Sequence, residues 1–66
     1  MKIGDKIILE VHGAGVVSEE EGIIEDIDDI SLTLEDDDKV FTKRRDGLYK
    51  YDDSFFGFRF IIKEKR

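Results

Sequence analysis

Apolar side chains in this chain recur at every second position rather than every third or fourth. Ile30-Ser31-Leu32-Thr33-Leu34 alternates without error, as a half-buried strand does. Over residues 56–62, Phe56, Phe58, Phe60 and Ile62 fall on one face, with Gly57, Arg59 and Ile61 on the other. Ile7, Leu9 and Val11 share a face of a first strand, opposite Ile8, Glu10 and His12. Residues 22–27 read as a shorter strand in which Ile23 and Ile27 point the same way. No helical stripe is sustained, and a single turn near Asp52–Phe55 is the one place for a helical backbone.

Turn signals separate these runs. Gly13-Ala14-Gly15 and the acidic residues 18–22 break the first long segment, Asp28-Asp29 joins the second strand to the third, and residues 35–38 end the third. Asp46-Gly47 is the clearest signal and predicts a two-residue hairpin loop of type I′, which needs positive φ at both central positions. That loop would set Arg44 opposite Tyr49, Lys43 opposite Lys50 and Thr42 opposite Tyr51.

Five to six short strands with tight turns in a chain of 66 residues predict one all-β domain over residues 1–66, a small antiparallel β-barrel. The opening Ile3-Gly4-Asp5-Lys6-Ile7-Ile8-Leu9 resembles the "x-G-D-x-V" first strand of SH3-like barrels of the KOW and Tudor type. Gly22-Ile23-Ile24-Glu25-Asp26-Ile27 is similar to their "G-x-V/I-x-x-I" strand. The likeness spans roughly residues 3–45. It implies an SH3-like barrel and, as one function, a KOW-like adaptor of a larger complex. The first half holds no aromatic residue, so a Tudor-type cage for methyl-lysine is not expected.

Charge sharpens the picture. Residues 1–38 carry two basic and thirteen acidic side chains, whereas residues 39–66 carry nine basic and four acidic ones together with all seven aromatic residues. An overall net charge of −6 argues against bulk nucleic acid as a ligand, because phosphate affinity rests on neutralising many charges at once. A local cluster of Arg, Lys and Tyr suits one or a few phosphates, or a carboxylate. With no Cys and one His, disulfides, thiolate metal sites and a zinc centre are not expected, and no cofactor is called for. The longest apolar run near the N-terminus, Ile7-Ile8-Leu9, is too short for a signal or membrane segment. A soluble, cytoplasmic protein is expected.

The candidate ligand site is the hairpin around Asp46-Gly47. In the predicted register Thr42, Arg44, Tyr49 and Tyr51 share one face, and Lys43, Arg45 and Lys50 share the other. A guanidinium beside two phenols is suited to holding an anion while stacking a flat ring. Arg59, next to Gly57, offers a second cation. The alternative is structural: the tyrosines sit in the core, the aliphatic stem of Arg44 covers them, and the basic residues neutralise the acidic half.

Other features carry less. His12-Gly13-Ala14-Gly15 lacks the spacing of a phosphate loop, and His12 has no nucleophile at a motif spacing. The acidic runs do not match a calcium loop and read as solvated turns, or as a mimic of a phosphate backbone. The ridge of Phe56, Phe58, Phe60 and Ile62 is large for so small a domain and is the expected oligomer interface.

The expected function is therefore a non-catalytic, homo-oligomeric module that sequesters a small anionic ligand, first of all a nucleotide such as a cyclic nucleotide signal. In type, the chain is similar to small phage accessory proteins, the viral sponges of nucleotide immune signals acting in an infected bacterial cell. The alternative is an acidic inhibitor that mimics nucleic acid and docks on a protein partner.

Overall fold

A computed structural model describes residues 1–65. Six strands follow one another: β1 (Lys6–Gly13), β2 (Val16–Ile27), β3 (Ser31–Leu34), β4 (Val40–Lys43), β5 (Tyr49–Asp53) and β6 (Phe58–Glu64). Each pairs antiparallel with the next, and β6 returns to β1, closing an all-β barrel. The expected five to six strands and antiparallel barrel are what the chain forms. Among the described residues no helix is long and apolar enough to cross a membrane.

Alternation sets the inner face. Ile7 and Leu9 of β1, Leu32 and Leu34 of β3, Phe41 of β4, Tyr49 of β5 and Ile62 of β6 are buried together with Ile24. Val11, Ile27, Tyr51 and Phe60 pack against this cluster. Phe41 meets Tyr51 edge-on at 6.2 Å between ring centres, and Tyr51 meets Phe60 at 6.0 Å, within the range where aromatic pairs add to area burial.

Three sequence expectations about the early strands change. Ile30 stands outside β3 and is exposed, so the alternating face is Leu32 and Leu34 alone. The inward residue of the 22–27 segment is Ile24, not Ile23. The register against β3 then shifts between Ile24 and Asp26, a bulge that turns Ile27 back toward the core. Finally, the acidic residues 18–22 do not break the chain. They lie inside β2, a strand of 12 residues, because β1 supplies a continuous ladder from Gly13↔Val16 to Lys6↔Ile23.

The type I′ turn forms at a different place from the one expected. Ala14 and Gly15, with φ of 51° and 75°, are the central pair of the β1–β2 hairpin. At Asp46-Gly47 only Gly47 has positive φ, 84°. Its N–H donates to the Arg44 carbonyl at 3.0 Å, and Arg44 N–H donates to the Leu48 carbonyl at 2.8 Å. This is a three-residue loop, a β-turn followed by one left-handed residue. The single turn expected near Asp52–Phe55 is an isolated one, closed from Gly57 N–H to the Asp53 carbonyl at 2.8 Å.

Candidate functional site

One extra loop residue between β4 and β5 rearranges the face on which the ligand site was expected. Thr42 opposes Lys50 and Lys43 opposes Tyr49, one step away from the predicted register. Because side chains alternate, a one-residue slip moves every side chain of one strand to the other face relative to its neighbour. Thr42 and Arg44 therefore lie outside, while Tyr49 and Tyr51 turn into the barrel. Tyr49 is only 6% exposed, and its hydroxyl donates to the Asp28 carbonyl. Lys43 follows the tyrosines, its Nζ lying 5.9 Å from the centre of the Tyr49 ring. The predicted stack of Arg44 on Tyr49 is thus replaced by two separate settings.

The outer face gathers the remaining cations. Asp52 of β5 pairs across the sheet with Arg59 of β6, and Arg59 in turn with His12 of β1. Asp52 accepts from Arg59 Nε at 3.0 Å through one carboxylate oxygen and from Arg44 Nη2 at 3.3 Å through the other. Two guanidinium groups thus converge on one carboxylate. Lys50 reaches Asp46 at 2.7 Å, and Arg45 has no carboxylate partner among the described residues. An open groove of about 420 Å³ runs between these groups, with four cations and two carboxylates along it.

Asp52 and Arg59 also line a second open groove, of about 570 Å³, that continues toward the β5–β6 turn. His12, Ser54 and Phe58 border it, and Ile61 forms part of its floor. Gly13 leaves room for the Phe58 ring there, since a Cβ at position 13 would fall 1.9 Å from it. Beyond it stand Phe55 and Phe56, 86% and 69% exposed and packed edge-on at 4.8 Å. The Asp53 carboxylate accepts from both of their main-chain N–H groups, which fixes the turn that carries them. Phe55 belongs with the aromatic tip as much as Phe56 does. Its even exposure could be read from its place between Ser54 and Phe56, outside the alternating run.

The expected interface ridge is graded rather than uniform. Phe56 is exposed in the turn, Phe58 is 37% exposed, Phe60 packs on Tyr51, and Ile62 is core at 1%. Within this ridge Ile62 is core and Phe60 is partly buried against it, and the Phe55–Phe58 end is the exposed part.

Among the described residues, four carboxylates sit below their ordinary pKa range. Glu10 is lowered first by its hydrogen bond to His12 and then by Lys63, and Glu21 by Lys65. Asp28 is lowered by the main-chain N–H groups of Ser31 and Ile30, and Asp46 by Lys50 and the Leu48 N–H. In each case the partners favour the charged form. Among the described residues no group of three or more His, Asp or Glu side chains is placed to hold a metal ion. No known protein family, curated protein or solved structure matches this chain.

Proposed function

We propose that the outer face of β4, β5 and β6 is the binding site of a small anionic ligand, with a nucleotide as the leading class. The observation that carries this reading is the convergence of Arg44 and Arg59 on Asp52 where the two grooves meet. Asp52 holds both guanidinium groups in place while leaving most of their donors unused, since each guanidinium has five. A phosphate beside them takes the free donors as charge-assisted hydrogen bonds, with Lys50 and Arg45 adding attraction along the basic groove.

The second groove gives that phosphate a direction. From Arg59 it leads to Phe58, which borders the groove, so a base attached to the phosphate meets an aromatic ring there. Base–aromatic stacking contributes about 1–3 kcal/mol per base and tolerates any base. The protein in this reading is a non-catalytic sequestering module of the phage accessory type, working in the cytoplasm. The core of eight buried residues among the described ones is small, and we take the Phe55–Phe56 tip as the surface through which copies associate, next to the ligand groove.

Thermal unfolding with a panel of mono-, di- and cyclic dinucleotides tests the reading, because a ligand that prefers the folded state raises the melting temperature. At least one nucleotide should raise it in wild type, and Arg44→Ala and Arg59→Ala should each remove most of that shift. Lys43→Ala, on the opposite side of the sheet, should leave it intact. A panel without any shift, or equal loss with Lys43→Ala, would refute the site.

A further inference from the structure

β2 changes neighbours along its length. Its first eight residues, Val16 to Ile23, pair with β1, and Ile24 to Ile27 pairs with β3. In an antiparallel ladder alternate residues turn their N–H and C=O groups toward opposite edges. The Ile23 carbonyl accepts from Glu35 N–H at 2.8 Å, on the edge away from β1. Glu21, Glu19 and Val17 have the same parity and so turn their main-chain groups to that edge. There, among the described residues, no strand meets them. All residues from Val16 to Glu21 are exposed.

This leaves an open strand edge about 14 Å long between Val17 and Glu21, taking roughly 3.4 Å per residue. Such an edge is a template for another extended chain, and its charge selects which one. Glu19 and Glu20 have no cationic partner among the described residues, and only Glu21 is engaged, by Lys65. Edge-to-edge pairing of two copies would bring the three glutamates of each against those of the other, and like charges across a strand pair are destabilising. A cationic segment removes that repulsion.

We infer that the Val17–Glu21 edge of β2 binds an extended, cationic segment of another protein as an added antiparallel strand. Lys or Arg at alternate positions of the guest faces Glu19 and Glu21, which share an outer face with Glu10. No residue of this edge lines either groove described above, so the two proposals stand or fall separately.

The test is titration of the full chain, labelled for amide NMR, with the blocked heptapeptide Lys-Val-Arg-Val-Lys-Val-Arg. The largest shifts should fall on Val17, Glu19 and Glu21, whose N–H groups point outward. The same peptide N-methylated at alternate amides keeps its charge but not its edge hydrogen bonds, and should bind at least about tenfold more weakly. Glu19→Pro removes one outward N–H without touching the β1 ladder, and should weaken the parent peptide about tenfold. Glu19→Gln, which keeps the N–H, should cost less than Glu19→Pro. Equal binding of the methylated peptide, which needs no variant to fold, would overturn the inference. So would shifts centred on another strand, or self-association of the wild type through these same amides.

Discussion

The Tyr49 hydroxyl donates to the main-chain carbonyl of Asp28, joining β5 to the β2–β3 turn across 21 positions of sequence. The same aspartate accepts at its carboxylate from the N–H groups of Ile30 and Ser31, at 2.8 and 2.7 Å. One turn residue therefore fastens its own turn with its side chain and a distant strand with its backbone. Tyr49→Phe keeps the ring in the core and deletes only the long-range bond. Stability should fall by about 1–2 kcal/mol in urea unfolding, with nucleotide-induced stabilisation unchanged. A loss of ligand response in a variant of normal stability would return Tyr49 to the binding site.

Stability should depend on acid through Asp28 and Asp46. Both are held below their ordinary range in the folded chain, Asp28 by the Ser31 and Ile30 N–H groups and Asp46 by Lys50 and Leu48. In the unfolded chain they take up protons at higher pH, near about 3.9. Their contribution is thus complete at neutrality and is lost as pH falls through the acid range. Urea midpoints measured from pH 7 down to pH 3 should decline. Asp28→Asn should be less stable than wild type at pH 7 and show a shallower decline.

The two tight turns should respond to substitution with opposite signs. Gly47→Val forces a β-branched residue to a φ of 84° and should destabilise by about 1–2 kcal/mol. Ala14→Gly relieves a non-glycine residue at 51° and should stabilise by about 0.5–1 kcal/mol. Denaturant midpoints of the two variants check both, and a stabilised Gly47→Val would contradict the three-residue loop.

Phe56 and Phe60 should separate assembly from folding. Phe56 is 69% exposed, whereas Phe60 packs on Tyr51 and beneath the Lys39 ammonium, 4.8 Å from its ring centre. Phe56→Ser should lower the sedimenting mass while leaving the melting temperature nearly unchanged. Phe60→Ser should destabilise by about 3 kcal/mol or more, the range for deleting a packed aromatic ring. A monomeric wild type at high micromolar concentration would remove the tip as an association surface.

The strand count, the antiparallel order and most of the inner face follow from the sequence. Period-two alternation at Ile7, Leu9, Leu32 and Leu34 states which side is buried, whatever lies across from it. Pairing is another matter. An Asp-Gly step is compatible with a two- or a three-residue loop, since Gly supplies the left-handed residue in either, and the difference is settled by how β4 and β5 seat Phe41, Tyr49 and Tyr51 in one core. That single step sent the tyrosines inward and brought Arg44 to Arg59 across Asp52. Likewise, three consecutive glutamates read as a turn because their own preference is for solvent, yet the ladder of β1 draws them into a strand. Local chemistry determined most of the residues that are buried. Register and neighbouring strands, which exist only once the barrel has closed, decided which polar side chains share a site and which strand edge stays open.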